Sequence, residues 1–245
     1  MVDESASVGI RTSAKNRTNS SPLARLERAL LDWLAPRMPP WVTPDGLTAF
    51  GVFGAFITFL GYAICSFSEQ FLWLASAGLA MHWFGDSLDG GLARYRGVER
   101  PRYGFFLDQN IDVFGNLLIG GGLAASPFIR LEPAVAALFG YQALAIYALV
   151  RFNLDGVFQM TVLNFGPTEV RVLLILMNFL ILIFGAPIWI LYGLSFSWCD
   201  IAIGFYGLCC FCTFAWLIAV EAPVLRREDD RTRLGRADRR DDEAA

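Results

Sequence analysis

Four aspartates stand at helical spacing in an otherwise apolar part of the chain, Asp86 and Asp89 followed by Asp108 and Asp112. On a helix, partners three or four residues apart project from one face, so each pair presents two carboxylates together. Both pairs fall at or inside predicted membrane spans, where an ionised group costs about 2.5–3.5 kcal/mol even on the lenient insertion scale. Something must compensate that cost. The two spans are joined by a short loop and must be antiparallel neighbours, which brings the pairs to a similar depth near the cytoplasmic end. Converging carboxylates repel one another, whereas hard divalent cations such as Mg²⁺ or Mn²⁺ take oxygen ligands and cancel the charge. The chemistry expected is that of a two-metal carboxylate site, which clamps phosphate oxygens, stabilises charge developing in a displacement and activates an attacking hydroxyl.

The neighbouring residues fit that chemistry. Gly90 and Gly91 lie one turn from the first pair and Gly104 one turn before Asp108, leaving the backbone bare where a bulky ligand must approach. Arg94 can reach a diphosphate. The competing reading is structural ion pairing of the aspartates with Arg94, Arg96, Arg100 and Arg102, but those arginines fall in the loop. His82, the single histidine of the chain, is one turn before Asp86; it reads either as a packed core side chain or as a partner of that carboxylate.

The pattern D-x2-D-G-x2-A-R followed by G-x3-D-x3-D, written here by Asp86, Asp89, Gly90, Ala93, Arg94, Gly104, Asp108 and Asp112, resembles the signature of the CDP-alcohol phosphotransferase family. The resemblance implies a six-span membrane enzyme that moves a phospho-group from a CDP-linked donor to an alcohol, with CMP leaving. It implies Asp86 and Asp108 as ligands bridging two ions, Asp89 as a ligand of one, and Asp112 as a ligand of the other that also serves as base. It implies Gly90, Ala93, Arg94 and Gly104 as contacts to the CDP part. Pro44-Asp45-Gly46-Leu47-Thr48 is similar to the family's P-N-x-[IL]-T element, which implies the same role for Asp45 and Thr48. There are two departures: nine residues separate Arg94 from Gly104 where eight are usual, and Asp45 replaces the usual Asn, adding a negative charge. A homodimer is likewise implied.

The elements that must position these residues are legible in the composition. The 245-residue chain is 55% hydrophobic and 18% charged, a membrane composition. Stretches long enough for the roughly 20 residues that a bilayer core demands run over 46–67, 71–94, 103–127, 132–152, 168–191 and 200–222. Runs such as Val172-Leu173-Leu174-Ile175-Leu176-Met177 are apolar on every side, which excludes alternating barrel strands. The fold class expected is all-α integral membrane, six transmembrane helices preceded by an amphipathic surface helix. Nineteen of the 20 Lys and Arg flank what would be one side of these spans and only Arg130 the other, so the positive-inside rule places both termini and the aspartates in or facing the cytoplasm, in a cell membrane. The opening residues hold no apolar block of the kind a cleavable signal peptide needs.

The expected division is a disordered Ser-rich segment over 1–21, a juxtamembrane amphipathic helix over 22–40, the membrane domain over 41–223 and a charged, solvated tail over 224–245. In the second of these, Leu23, Leu26, Leu30, Trp33 and Leu34 share a face. The five cysteines lack zinc spacing and read as packing residues. A further polar group opens the fifth span: Glu169 and Arg171, with Arg151 and Asn178, are candidates for an acceptor pocket, the arginines suiting an anionic alcohol; a helix start and a positive-inside anchor are the alternatives. Asn110 and Asn116 either polarise the site or bond between helices.

Donor and acceptor classes stay open at this level. CDP-diacylglycerol with a small polar acceptor is the commoner arrangement in the family, and a soluble CDP-alcohol with a lipid hydroxyl the reverse. The D-H-G-x-x-D of choline and ethanolamine transferases is absent, since Asp108 is followed by Gln109. A cation transporter would want midplane ligands and an inverted repeat, and a non-catalytic scaffold leaves the carboxylates unexplained. Membrane lipids are the expected surroundings, and no nucleic-acid partner is expected.

Overall fold

A computed structural model describes residues 23–155, 166–191 and 194–244; the segment 1–21, read as disordered, lies outside them. Helix α1 (Ala24–Leu34) and a short 3-10 turn (Ala35–Arg37) lead through an extended Met38 to α2 (Pro44–Ala63). There follow α3 (Phe71–Arg96), α4 (Pro101–Ala125), α5 (Leu131–Asp155), α6 (Pro167–Phe184), an antiparallel hairpin of β1 (Ile188–Leu191) and β2 (Leu194–Ser197), and α7 (Trp198–Ala244).

Among the described residues, four helices are long and apolar enough to cross a membrane: α2, α5, α6 and α7. The other two of the expected six, α3 and α4, have 26 and 25 residues, about 39 and 37 Å at 1.5 Å per residue. Their carboxylates and arginines lower their hydropathy. Both nevertheless pack on α2, and α3 also packs on α6.

Local chemistry sets the ends. Thr43 caps α2 by accepting from the Gly46 amide at 3.1 Å, with Pro44 at the first helical position, where its missing N–H costs nothing. Gly97, at φ +66°, closes α3 in the left-handed conformation that glycine adopts without Cβ strain. Two expectations need correction. The fifth span was expected to reach 191, but α6 stops at Phe184, where Gly185 at φ +71° is followed by Ala186-Pro187 and the chain turns into the hairpin. The chain is therefore not purely helical. An apolar run alone does not distinguish a last helical turn from a short strand. The sixth span and the charged tail form one helix that continues through Pro223.

The α2–α3 contact is the tightest seam in the molecule. A Cβ on Gly54 would meet the His82 backbone nitrogen at 2.5 Å, one on Gly61 the Ala75 nitrogen at 2.5 Å, and one on Gly78 the Thr58 nitrogen at 2.5 Å. The two backbones touch, as small residues permit where lipid supplies no hydrophobic drive between helices. Buried polar groups extend this seam to α6: Tyr62 donates to Asn178 at 2.9 Å and Asn178 donates to Ser76 at 3.0 Å. Asn178 is fully buried there and bonds to both α2 and α3.

Candidate active site

Helices α3 and α4 bring three of the four aspartates together. Carboxylate oxygens of Asp86, Asp108 and Asp112 all lie within 4.8 Å of one another, each side chain half-buried. The fourth, Asp89, is turned toward α2: its Oδ2 accepts from Thr48 Oγ1 at 2.6 Å and its Oδ1 from the Gly90 amide at 2.5 Å. The Pro44–Thr48 element is thus drawn against the turn that carries the first aspartate pair.

The cation that reaches this cluster is neither from the 94–102 loop nor local in sequence. Arg171, buried on α6, donates from Nη2 to Asp86 Oδ2 at 2.7 Å, and the same nitrogen lies 3.3 Å from His82 Nε2. His82 is buried against Gly115 of α4 and meets Asp86 through Arg171. Of the four arginines expected in the loop, Arg94 and Arg96 lie in the last turn of α3 and Arg102 in the first turn of α4, and Arg100 alone stands between the helices. Arg96 donates to the backbone carbonyls of Met38, Pro39 and Val42, fastening the α1–α2 linker to the end of α3. Arg100 binds Asp45, and Arg94 is exposed beside Gly90.

Of the other residues considered for an acceptor pocket, Glu169 folds back to accept from the Gly166 amide at 2.9 Å and so caps α6, and Arg151 pairs with Glu221 of α7 at 3.0 Å. Asn116 bonds across to Gln142 of α5, whereas Asn110 donates to the Phe106 carbonyl of its own helix.

The glycines separate into two kinds. Those of the α2–α3 seam have no room for a methyl group, but a Cβ on Gly91 or Gly104 would meet nothing within 4 Å, and one on Gly90 only the Arg94 guanidinium at 3.5 Å. The backbone is therefore bare and accessible beside the carboxylates. Three carboxylates against one guanidinium leave the cluster with an excess of negative charge and hard oxygen donors, a donor set that fits Mg²⁺ or Mn²⁺. Sequence reasoning missed Arg171 as the partner of Asp86, because it comes from an element remote in the chain.

A family model described as CDP-alcohol phosphatidyltransferase matches residues 41–220. Over 83 residues the chain is 40% identical to a phosphatidylinositol phosphate synthase of Cutibacterium acnes, a match covering 34% of this chain and 38% of that relative.

Proposed function

Since the chain belongs to the CDP-alcohol phosphatidyltransferase family, we propose that the aspartate cluster transfers a phosphatidyl group from CDP-diacylglycerol to an alcohol, releasing CMP, in phospholipid synthesis. The observation that carries the reading is the meeting of Asp86, Asp108 and Asp112 within 4.8 Å, beside glycines open to a ligand.

In this reading Asp86, Asp89, Asp108 and Asp112 would hold two divalent ions. Bound ions of this kind neutralise the donor's diphosphate and stabilise charge on the oxygen that leaves. The chain's own groups do the rest. The Pro44–Thr48 element with Asp45 and Thr48, and Gly90, Ala93, Arg94 and Gly104, receive the CDP part. The acceptor hydroxyl gives its proton to the Asp112 carboxylate as its oxygen forms a bond to the phosphorus that bears diacylglycerol. The anhydride P–O bond breaks, and its electron pair leaves on CMP. Helices α3 and α4 complete six membrane spans, α1 lies on the membrane surface, and both ends and the site face the cytoplasm, an arrangement supported by the distribution of Lys and Arg.

The relative's name describes a lipid with a phosphate on its head group, and the acceptor proposed here is accordingly a phosphorylated polyol. The cations proposed to meet it are Arg171, which also holds Asp86, and Arg151 of α5, which also holds Glu221. A homodimer is part of the same reading.

The test is CMP release by the purified protein with Mg²⁺ or Mn²⁺, labelled CDP-diacylglycerol or CDP-choline, and a panel of phosphorylated and neutral alcohols. Release from CDP-diacylglycerol with a phosphorylated polyol is the expected result. Release from CDP-choline onto diacylglycerol would instead make the lipid the acceptor. No CMP from either donor, or metal uptake into liposomes without CMP, would refute the transferase reading.

A further inference from the structure

One carboxylate outside the aspartate cluster gathers donors from two other helices. Glu27, half-buried on α1, accepts at Oε1 from Trp83 Nε1 at 2.9 Å, from Ser87 Oγ at 2.9 Å and from Thr168 Oγ1 at 3.0 Å, the last also lying 3.1 Å from Oε2. Trp83 and Ser87 are one turn apart on α3, and each adjoins a residue of the site, His82 and Asp86. Thr168 is one turn before Arg171 on α6. The indole N–H is a donor only, so residue 27 must supply an acceptor for this arrangement to close.

The same two turns, 82–87 of α3 and 168–171 of α6, are joined a second time by Arg171 and Asp86 at 2.7 Å. We propose that Glu27 is a positioning residue. By fixing those turns to each other from the α1 side, it sets where Arg171 meets Asp86, and so where the Asp86 carboxylate stands relative to Asp108 and Asp112. Helix α1 is then a structural part of the catalytic site as well as a surface helix. Its Leu26, Leu30 and Trp33 face outward, exposed by 70%, 41% and 54%, while Leu31 and Leu34 pack on the Leu47, Leu88 and Leu92 cluster. The single apolar face expected from the sequence is in fact divided between two surfaces. The inference rests on the transferase reading for its kinetic readout, but not for its other two.

The experiment compares the parent, Glu27→Ala, Glu27→Gln, Thr168→Val and the exposed control Arg28→Ala in phosphatidylcholine nanodiscs. It follows CMP release, Mn²⁺ affinity by electron paramagnetic resonance, and amide hydrogen exchange over 82–87 and 167–172. Glu27→Ala is expected to lower kcat about tenfold with donor KM within about twofold, to weaken Mn²⁺ binding, and to speed exchange in both turns. Glu27→Gln keeps the acceptor oxygen and is expected to stay close to the parent. Thr168→Val should fall between them, and Arg28→Ala should match the parent. The proposal is overturned if Glu27→Ala keeps parental kcat and Mn²⁺ affinity, or if Glu27→Gln is as impaired as Glu27→Ala. A parent that releases no CMP would count against the transferase reading alone, since metal affinity and exchange still decide the role of Glu27.

Discussion

Arg100 holds both oxygens of Asp45, at 2.6 and 2.7 Å. These residues sit at the two places where the chain departs from the family pattern: Asp45 stands where Asn is usual, and Arg100 belongs to the connection that is one residue longer. The guanidinium cancels the charge that the Asp45 carboxylate adds to the Pro44–Thr48 element. Arg100→Ala alone should therefore raise the KM for the CDP donor by leaving Asp45 bare, and Asp45→Asn on the same background should restore it. Both side chains are about half exposed, so the stability coupling in a double-mutant cycle should stay below about 1 kcal/mol. Thermal unfolding and donor KM of the four proteins measure the two effects separately.

The aspartate cluster should oppose stability and activity. Asp112→Asn removes one of three carboxylates that lie within 4.8 Å of one another, so at a pH where all three are ionised the metal-free variant should unfold at a higher temperature than the parent. With metal the order should narrow or reverse, because fewer charges remain to bind the ion. CMP release should fall at least about a hundredfold through loss of the base. Chelation should abolish parental activity, and added Mg²⁺ or Mn²⁺ should return it. Equal activity of Asp112→Asn and parent would contradict the role assigned to this residue.

Arg171→Gln tests the buried ion pair. Removing one partner leaves Asp86 uncompensated in a site where the arginine side chain is 9% exposed, a loss of about 3–5 kcal/mol in comparable buried pairs. Mn²⁺ offers that carboxylate another cation, so it should stabilise the variant more than it stabilises the parent. Differential scanning fluorimetry across a Mn²⁺ titration is the measurement, and an identical metal-induced shift in the two proteins would show that Arg171 and the metal do not share Asp86.

The two kinds of glycine make opposite predictions. Gly78→Ala forces a Cβ to within 2.5 Å of the Thr58 nitrogen and should destabilise the fold by about 1–3 kcal/mol or more, since the obstacle is backbone. Gly91→Ala meets no atom within 4 Å and should be neutral or stabilising by up to about 1 kcal/mol through helix propensity. If the open face receives the donor, Gly91→Ala should still raise donor KM. Unfolding midpoints and kinetics of the two variants separate these effects.

The parts of the site legible in the sequence were those whose geometry is local. The intervals from Asp86 to Asp89 and from Asp108 to Asp112 state their own facing, and the intramembrane cost of charge implies convergence; Asp86, Asp108 and Asp112 do meet, whereas Asp89 turns to Thr48, a partner 41 positions away. Arg171 reads from the sequence as a candidate for an acceptor pocket or a positive-inside anchor, and nothing in its neighbourhood points to Asp86, 85 positions away. Glu27 reads as one polar residue of an amphipathic helix, because Trp83, Ser87 and Thr168 are all remote from it in the chain. The hairpin escaped because Ile188 to Leu191 is as apolar as the helix before it. Gly54, Gly61 and Gly78 were visible as glycines, but only a folded neighbour reveals which glycines lie in a contact and which face a cleft.

The α2–α3 seam also bears on how such a chain can change length. Because the backbones interlock at Gly54, Gly61 and Gly78, one residue inserted within either helix would turn everything beyond it by about 100°, carrying Asp86 and Asp89 off the Thr48 side or parting the interlocked faces. The exposed residues 66–70 of the α2–α3 connection have no such constraint. Insertions and deletions should be accepted there and rejected between Thr48 and Gly61 or between Gly78 and Asp89, a pattern that random single-codon insertion followed by selection for membrane expression would display directly.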